Sequence, residues 1–194
     1  MSDDPLRVFD EWFRAAGAAG VTVPEVMTLA TAGVDGQPSA RMVLLKGADD
    51  DGFVFYTAYE SRKGRELGEN ARAALVFYWQ PLGRQVRVEG TVERVTDEEA
   101  DAYFATRPRG SQLAAWTSEQ SRPIEGRDAL ERRYEEIERA YEGRYVPRPP
   151  YWGGYRLRPD AIEFWQHRDN RLHDRVRYTR AREKQEWTAE TLGP

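Results

Sequence analysis

Apolar residues change period several times along the chain, and each change marks an element. Val8, Phe9, Trp12, Phe13 and Ala16 recur at helical spacing, so the first stretch is expected to be a helix. Asp4-Pro5 supplies its N-cap and first residue, and Gly17 and Gly20 end it. Short β-type runs follow at 26–31, 40–46 and 53–58, separated by Asp35-Gly36 and Asp51-Gly52, dipeptides suited to hairpin turns. Two more runs stand at 74–79 and 85–92. In the second, Val86, Val88 and Val92 take one face, and Arg87 and Glu89 the other. Helical patterns interrupt at 61–70, 97–106 and near 111–121. A charged helix over 127–141 carries an apolar stripe of Leu130, Tyr134, Ile137 and Tyr141. A proline-rich stretch at 146–150 reads as a linker or clamp, and strands are expected again at 151–157, 161–166, 171–179 and 186–191. Hairpin-linked strands with helices inserted rather than alternating predict a mainly β fold, an antiparallel barrel decorated by helices, in one domain over residues 1–194.

Composition narrows the chemistry. The 194 residues contain no Cys and only two His, His167 and His173, which excludes disulfides, thiolate nucleophiles, iron–sulfur clusters and His-rich metal sites. No spacing recommends a carboxylate metal site, so no metal is expected. A formal charge of −4 argues against nucleic acid as partner. The start, Met1-Ser2-Asp3-Asp4-Pro5, is unlike a signal peptide, and the longest apolar run, 73–79, is too short to span a bilayer, so the expected location is cytoplasmic. There is no G-x-G-x-x-G and no P-loop, so any nucleotide must be held by another geometry.

Three basic clusters can carry chemistry. In Arg171-Leu172-His173-Asp174-Arg175, strand alternation would put Arg171, His173 and Arg175 on one face, where they repel unless an anion or polar ligand lies among them. A sheet edge blunted by charge gives the same pattern. Tyr103 and Arg107 stand four apart on an expected helix that Pro108 stops, with Ser111 on the following turn. A phenol, a guanidinium and a hydroxyl there suit a phosphate monoester, and a surface Arg beside a half-buried Tyr fits equally. The third is the strand Arg41-Met42-Val43-Leu44-Leu45-Lys46 together with Ser61-Arg62-Lys63. Ser61 can cap a helix whose first turn carries two cations, an unfavourable placement unless an external anion offsets it.

These pieces, with Phe55-Tyr56-Thr57, Arg84-Gln85-Val86, Trp152-Gly153-Gly154 and Glu163-Phe164-Trp165-Gln166 in the same order, resemble the pyridoxamine 5′-phosphate oxidase family over nearly the whole chain. The resemblance implies an FMN-binding split β-barrel and a homodimer with a flavin at each of two inter-subunit sites, its region from about 150 to 194 serving dimerisation and the substrate pocket. It implies that FMN is held by Arg41, Met42, Val43, Leu44, Leu45, Lys46, Tyr56, Thr57, Arg62, Lys63, Gln85, Gln120, Ser121, Trp165 and Arg175. The substrate phosphate would fall to Lys46, Tyr103, Arg107 and Ser111, with Arg171 and His173 as catalytic residues over the pyridine ring. The implied reaction oxidises pyridoxamine or pyridoxine 5′-phosphate to pyridoxal 5′-phosphate with O2 as acceptor, giving hydrogen peroxide, and ammonia from the amine. Family members usually carry an Arg- and Tyr-rich N-terminal segment that folds over the substrate, and the sequence given starts almost at its first helix. Rival readings are a phenazine-biosynthesis oxidase of the same superfamily, a deazaflavin-dependent reductase on the same barrel, and a flavin or pyridoxal-phosphate carrier without turnover.

Overall fold

The computed structural model describes residues 4–180 and 186–194. Helix α1 (Pro5–Ala18) begins as expected: the Asp4 carboxylate accepts from the Leu6 amide at 2.9 Å, with Pro5 in the first turn. Its apolar stripe inserts Phe9 into the main core, edge-on to Phe53 at 4.9 Å and to Phe77 at 5.1 Å.

An antiparallel sheet forms the body. Its strands are β1 (Val26–Ala32), β2 (Pro38–Leu44), β3 (Gly47–Asp49), β4 (Gly52–Ala58), β5 (Arg72–Trp79), β6 (Arg84–Arg94), β7 (Trp152–Gln166), β8 (Asp174–Thr179) and β9 (Thr188–Thr191). The order is β2-β1-β5-β6-β7-β4-β3, with β8 added to β7 and β9 to β8. The faces of β6 fall as its alternation predicts: Val86, Val88 and Val92 are buried. Helices α2 (Arg62–Glu69), α3 (Asp97–Thr106), α4 (Arg109–Thr117) and α5 (Arg127–Ala140) are insertions between strands.

Several expected boundaries move, each for a local reason. The run 40–46 ends at Leu44, and the separate short β3 pairs with β4 through the turn at Asp50-Asp51. The expected strands 151–157 and 161–166 are one, β7, which passes through Pro159 because its partner β6 has a register irregularity between Glu89 and Gly90. Gly90 is required there, since a Cβ would run into the Arg158 carbonyl. The expected strand 171–179 starts only at Asp174, after a short 3₁₀ turn over Asp169–Arg171. Ser111 lies in the first turn of α4, not on a loop, and Ser121 lies beyond the end of that helix. The stripe on α5 is only half-buried: Tyr134 and Ile137 pack on a small second core of Ala58, Phe104, Leu113, Val146 and Trp152. That second core seats α3 and α4 beside one end of β4 and β7. Among the described residues no helix is long and apolar enough to cross a membrane.

Candidate active site

Between β2, the end of β4, the start of α2 and the α3–α4 corner lies a cavity of about 710 Å³. Its size suits a cofactor-sized ligand. Two of its corners are built for anions.

The first corner is the N-terminus of α2. Ser61 caps the helix, donating from Oγ to the Ala58 carbonyl at 2.7 Å and accepting from the Gly64 amide at 3.3 Å. The capped turn holds Lys63 almost wholly buried, 8% exposed. Its ammonium donates to Gln120 Oε1 at 2.9 Å and Thr57 Oγ1 at 3.0 Å, both neutral oxygens. Burial, with the nearby Arg41 guanidinium adding repulsion, brings its pKa down to about 8. Beside it, Glu66 takes an ion pair from Arg41 at 3.2 Å and one from Arg62 at 2.8 Å, and hydroxyl bonds from Thr31 and Ser39. Burial alone would raise the Glu66 carboxyl, but bonds from Ser39, Thr31, Arg62 and Arg41 outweigh it and bring the group down to about 2. Arg41 and Arg62 thus share the one carboxylate of Glu66, and among the described residues Lys63 has no ion pair. A phosphate bound there would supply the missing charge.

The second corner is where α3 ends. Arg107 is the C-cap residue, in extended conformation, and its guanidinium lies 4.6 Å over the Trp152 ring. Arg107 Nη1 is buried and has no hydrogen-bond partner among the described residues. A buried donor left unpaired is costly, and a ligand oxygen would satisfy it. Burial lowers the Arg107 pKa, with Tyr103 opposing. Tyr103 stacks on Tyr56 at 3.9 Å, and Tyr56 on Trp152 at 5.5 Å. Desolvation first, then Glu99 and Tyr103, push the Tyr56 phenol up to about 12, so at neutral pH it keeps its proton and can donate. Gly154 makes the stack possible, because a Cβ there would come within 2.7 Å of the Tyr56 ring; a Cβ on Gly153 would collide with the Tyr59 hydroxyl.

The expected site residues therefore divide. Arg41, Met42, Val43, Leu44, Lys46, Tyr56, Thr57, Arg62, Lys63, Tyr103, Arg107, Gln120 and Ser121 all line the cavity. Leu45 does not, being turned into the main core. Ser111 stands one turn before Ala114 and Ala115, which do line it. Gln85, Trp165 and Arg175 instead face one another across β6, β7 and β8, where Gln85 pairs with Trp165 and Trp165 with Arg175. Arg175 is held by Glu163 at 3.0 Å and by the Gly193 carbonyl at 2.8 Å. His173 packs on Trp165 at 4.6 Å. Arg171, His173 and Arg175 do not share a strand face. Asn170 and Arg171 adopt left-handed backbone (φ 55° and 63°), which breaks the alternation before β8 begins. Sequence reasoning missed Glu66 and Trp152 as parts of the site. Glu66 is legible as the partner four residues after Arg62; the Arg107–Trp152 contact has no local signal.

The family model described as pyridoxamine 5′-phosphate oxidase matches residues 13–141, and that described as the pyridoxine 5′-phosphate oxidase C-terminal dimerisation region matches residues 152–194. The pyridoxine/pyridoxamine 5′-phosphate oxidase of Rubrobacter xylanophilus is 62% identical over 98% of this chain and 87% of its own. That of Cupriavidus necator is 56% identical over 100% of this chain and 91% of its own. Among solved structures, PhzG from Burkholderia lata 383, in complex with tetrahydrophenazine-1-carboxylic acid, superposes with a TM-score of 0.93 at 34% identity, covering 100% of this chain and 94% of that one. A pyridoxamine 5′-phosphate oxidase-related, FMN-binding protein from Nostoc punctiforme shares the fold at a TM-score of 0.78 and 19% identity, with 100% of both chains covered. With a family model covering well over half its length and close relatives covering nearly all of it, the chain belongs to the pyridoxine/pyridoxamine 5′-phosphate oxidase family.

Proposed function

We propose that this protein is an FMN-dependent oxidase that converts pyridoxine or pyridoxamine 5′-phosphate to pyridoxal 5′-phosphate, with O2 as acceptor and hydrogen peroxide as product; the amine also releases ammonia. The observation that carries this reading is the pair of separate anion corners in one cavity, around Lys63 and around Arg107. The flavin phosphate belongs at the first, where Arg62, Lys63, Thr57 and Gln120 converge. The substrate phosphate belongs at the second, with Arg107, Tyr103 and Lys46 at the cavity wall and Ser111 from α4. When bound, FMN supplies the two-electron chemistry, taking up the substrate's C4′ hydride and passing electrons to oxygen. The protein supplies position and charge.

The active form is a homodimer. Gln85, Trp165, Arg171, His173 and Arg175 do not line the cavity of their own chain, and we assign them to the cavity of the other copy. There Arg175 and Trp165 would meet the flavin, and Arg171 and His173 the pyridine ring. A cytoplasmic location fits a chain without cysteine. The reading of a phenazine-type oxidase draws on the likeness to PhzG at 34% identity, and a carboxylate could also pair with Arg107; the relatives at 56–62% identity, all pyridoxine/pyridoxamine 5′-phosphate oxidases, favour the phosphate ester.

The test is direct. The purified protein should be yellow, and pyridoxine 5′-phosphate under air should yield peroxide and pyridoxal 5′-phosphate in equal amounts. A colourless protein that takes up no FMN on reconstitution, or one that oxidises a reduced phenazine and not the phosphate ester, would overturn it.

A further inference from the structure

The turn between β7 and β8 fixes more than the direction of the chain. The Arg168 backbone amide donates to His173 Nδ1 at 3.1 Å. An amide N–H cannot accept, so the imidazole nitrogen it meets carries a lone pair, and a neutral ring must then hold its proton on Nε2. We infer that His173 is locked as the Nε2–H tautomer and serves the substrate as a hydrogen-bond donor to an acceptor oxygen at the ring end, not as a proton-abstracting base. This deepens the proposed function and rests on its placement of His173 over the pyridine.

The lock is built from the turn itself. Asn170 and Arg171 take left-handed backbone, and the Leu172 amide closes on the Asp169 carbonyl at 3.1 Å, folding residue 173 back toward residue 168. The Arg168 side chain pairs with Asp174 at 2.8 Å, gripping the other side of the same turn. Below it, the His167 amide donates to the Gly83 carbonyl at 2.8 Å, tying the turn's entry to the start of β6. Trp165 at 4.6 Å and His167 at 5.2 Å support the His173 ring. Such a ring has one basic lone pair, and the amide occupies it. To act as a base toward substrate, His173 would have to give up this bond and flip. As a donor it need not move, and a donor that needs no reorganisation is the kind that favours developing negative charge.

Two measurements on the full-length holoenzyme test this. With only two histidines in the chain, ¹⁵N–¹H correlation spectra of the imidazoles, assigned against a His167→Gln variant, report the tautomer at pH 8. The expected result is a proton on Nε2 and an unprotonated Nδ1 for His173; a proton on Nδ1 overturns the inference. In kinetics, Gln places an N–H where Nε2 was, whereas Asn reaches only the Nδ1 position. His173→Gln should keep kcat/KM within about tenfold of the parent, and His173→Asn should lose about fiftyfold, the scale of one hydrogen bond to a charged or strongly polar partner. If the Nε2–H tautomer is seen but both variants keep full activity, or both lose equally, the donor role falls. In the full-activity case the placement of His173 at the substrate falls with it.

Discussion

Replacing Lys63 with Met should move stability and cofactor affinity in opposite directions. The Lys63 pKa is brought from its ordinary 10.5 to about 8, mainly by burial. A lysine whose pKa is lowered by folding costs stability while charged, fully below pH 8, and that cost disappears as the pH rises from 8 through 10.5. At pH 7 the shift corresponds to roughly 2–3 kcal/mol, allowing for screening by solvent at the cavity mouth. Met keeps most of the apolar stem. It also strands no partner, because Thr57 Oγ1 still donates to Gln120 Oε1 at 3.0 Å. The apoprotein of Lys63→Met should therefore be as stable as the parent at pH 7, or up to about 2 kcal/mol more stable. FMN binding, in contrast, loses a charge-assisted bond worth about 1.5–3 kcal/mol, a rise of about 10- to 150-fold in Kd. Urea unfolding of the apoprotein and quenching of flavin fluorescence measure the two effects. Because a bound phosphate favours the charged ammonium, the parent's FMN affinity should also fall as the pH is raised above 8, by up to about tenfold per unit, and the variant's should not. An apoprotein destabilised by more than about 1 kcal/mol, with FMN affinity unchanged, would refute the view that Lys63 waits for an anion.

Other expectations follow from the same geometry. Arg107→Met should raise KM for pyridoxine 5′-phosphate by about 10- to 100-fold while leaving FMN affinity within about threefold, and Arg107→Lys should restore only part of the loss because it cannot lie flat on Trp152; steady-state kinetics beside flavin titration check this. Glu66 has its carboxyl pKa lowered to about 2 from an unfolded 4.5, so it contributes stability above pH 4.5 that is lost as the pH falls from there toward 2. Glu66→Gln should flatten acid unfolding in that window and loosen FMN, which unfolding curves at pH 3 and pH 6 would show. Phe9→Ala should cost about 3–5 kcal/mol through the cavity left between Phe53 and Phe77, read as a lowered urea midpoint with unchanged slope.

How legible this was depended on the range of the interaction. Alternation in 85–92 foretold which valines of β6 are buried, and the Asp4-Pro5 start foretold the cap of α1, because both are decided within a few residues. Ser61, Arg62 and Lys63 stood out because a helix start with two cations contradicts its own dipole, and Arg62 and Lys63 do line the cavity. The basic run at 171–175 misled because its turn cue went unused: Asp169-Asn170 favours a turn and Asn170 takes the left-handed backbone that Asn favours, whereas Arg171, also left-handed, has no local cue of its own. Pro159 hid the continuity of β7, since the irregularity that tolerates it lies on another strand. The contact of Arg107 with Trp152 joins residues far apart in the chain, and only the fold supplies it.

Strand β7 carries Trp152 at one end, in the cavity wall, and Trp165 at the other, beside His173. The two are separated by up to roughly 40 Å of extended chain, at ~3.3 Å per residue. If, as proposed, one site is spread along such a strand and closed by pairing two copies, the protein is open to complementation. On the proposed assignment, chains carrying Arg107→Met and chains carrying His173→Asn are each impaired as pure dimers, yet a mixed dimer would contain one site with both residues intact and another with neither. Two impaired alleles expressed together would then yield more activity than either alone, and the gain would rise and fall with the fraction of mixed pairs.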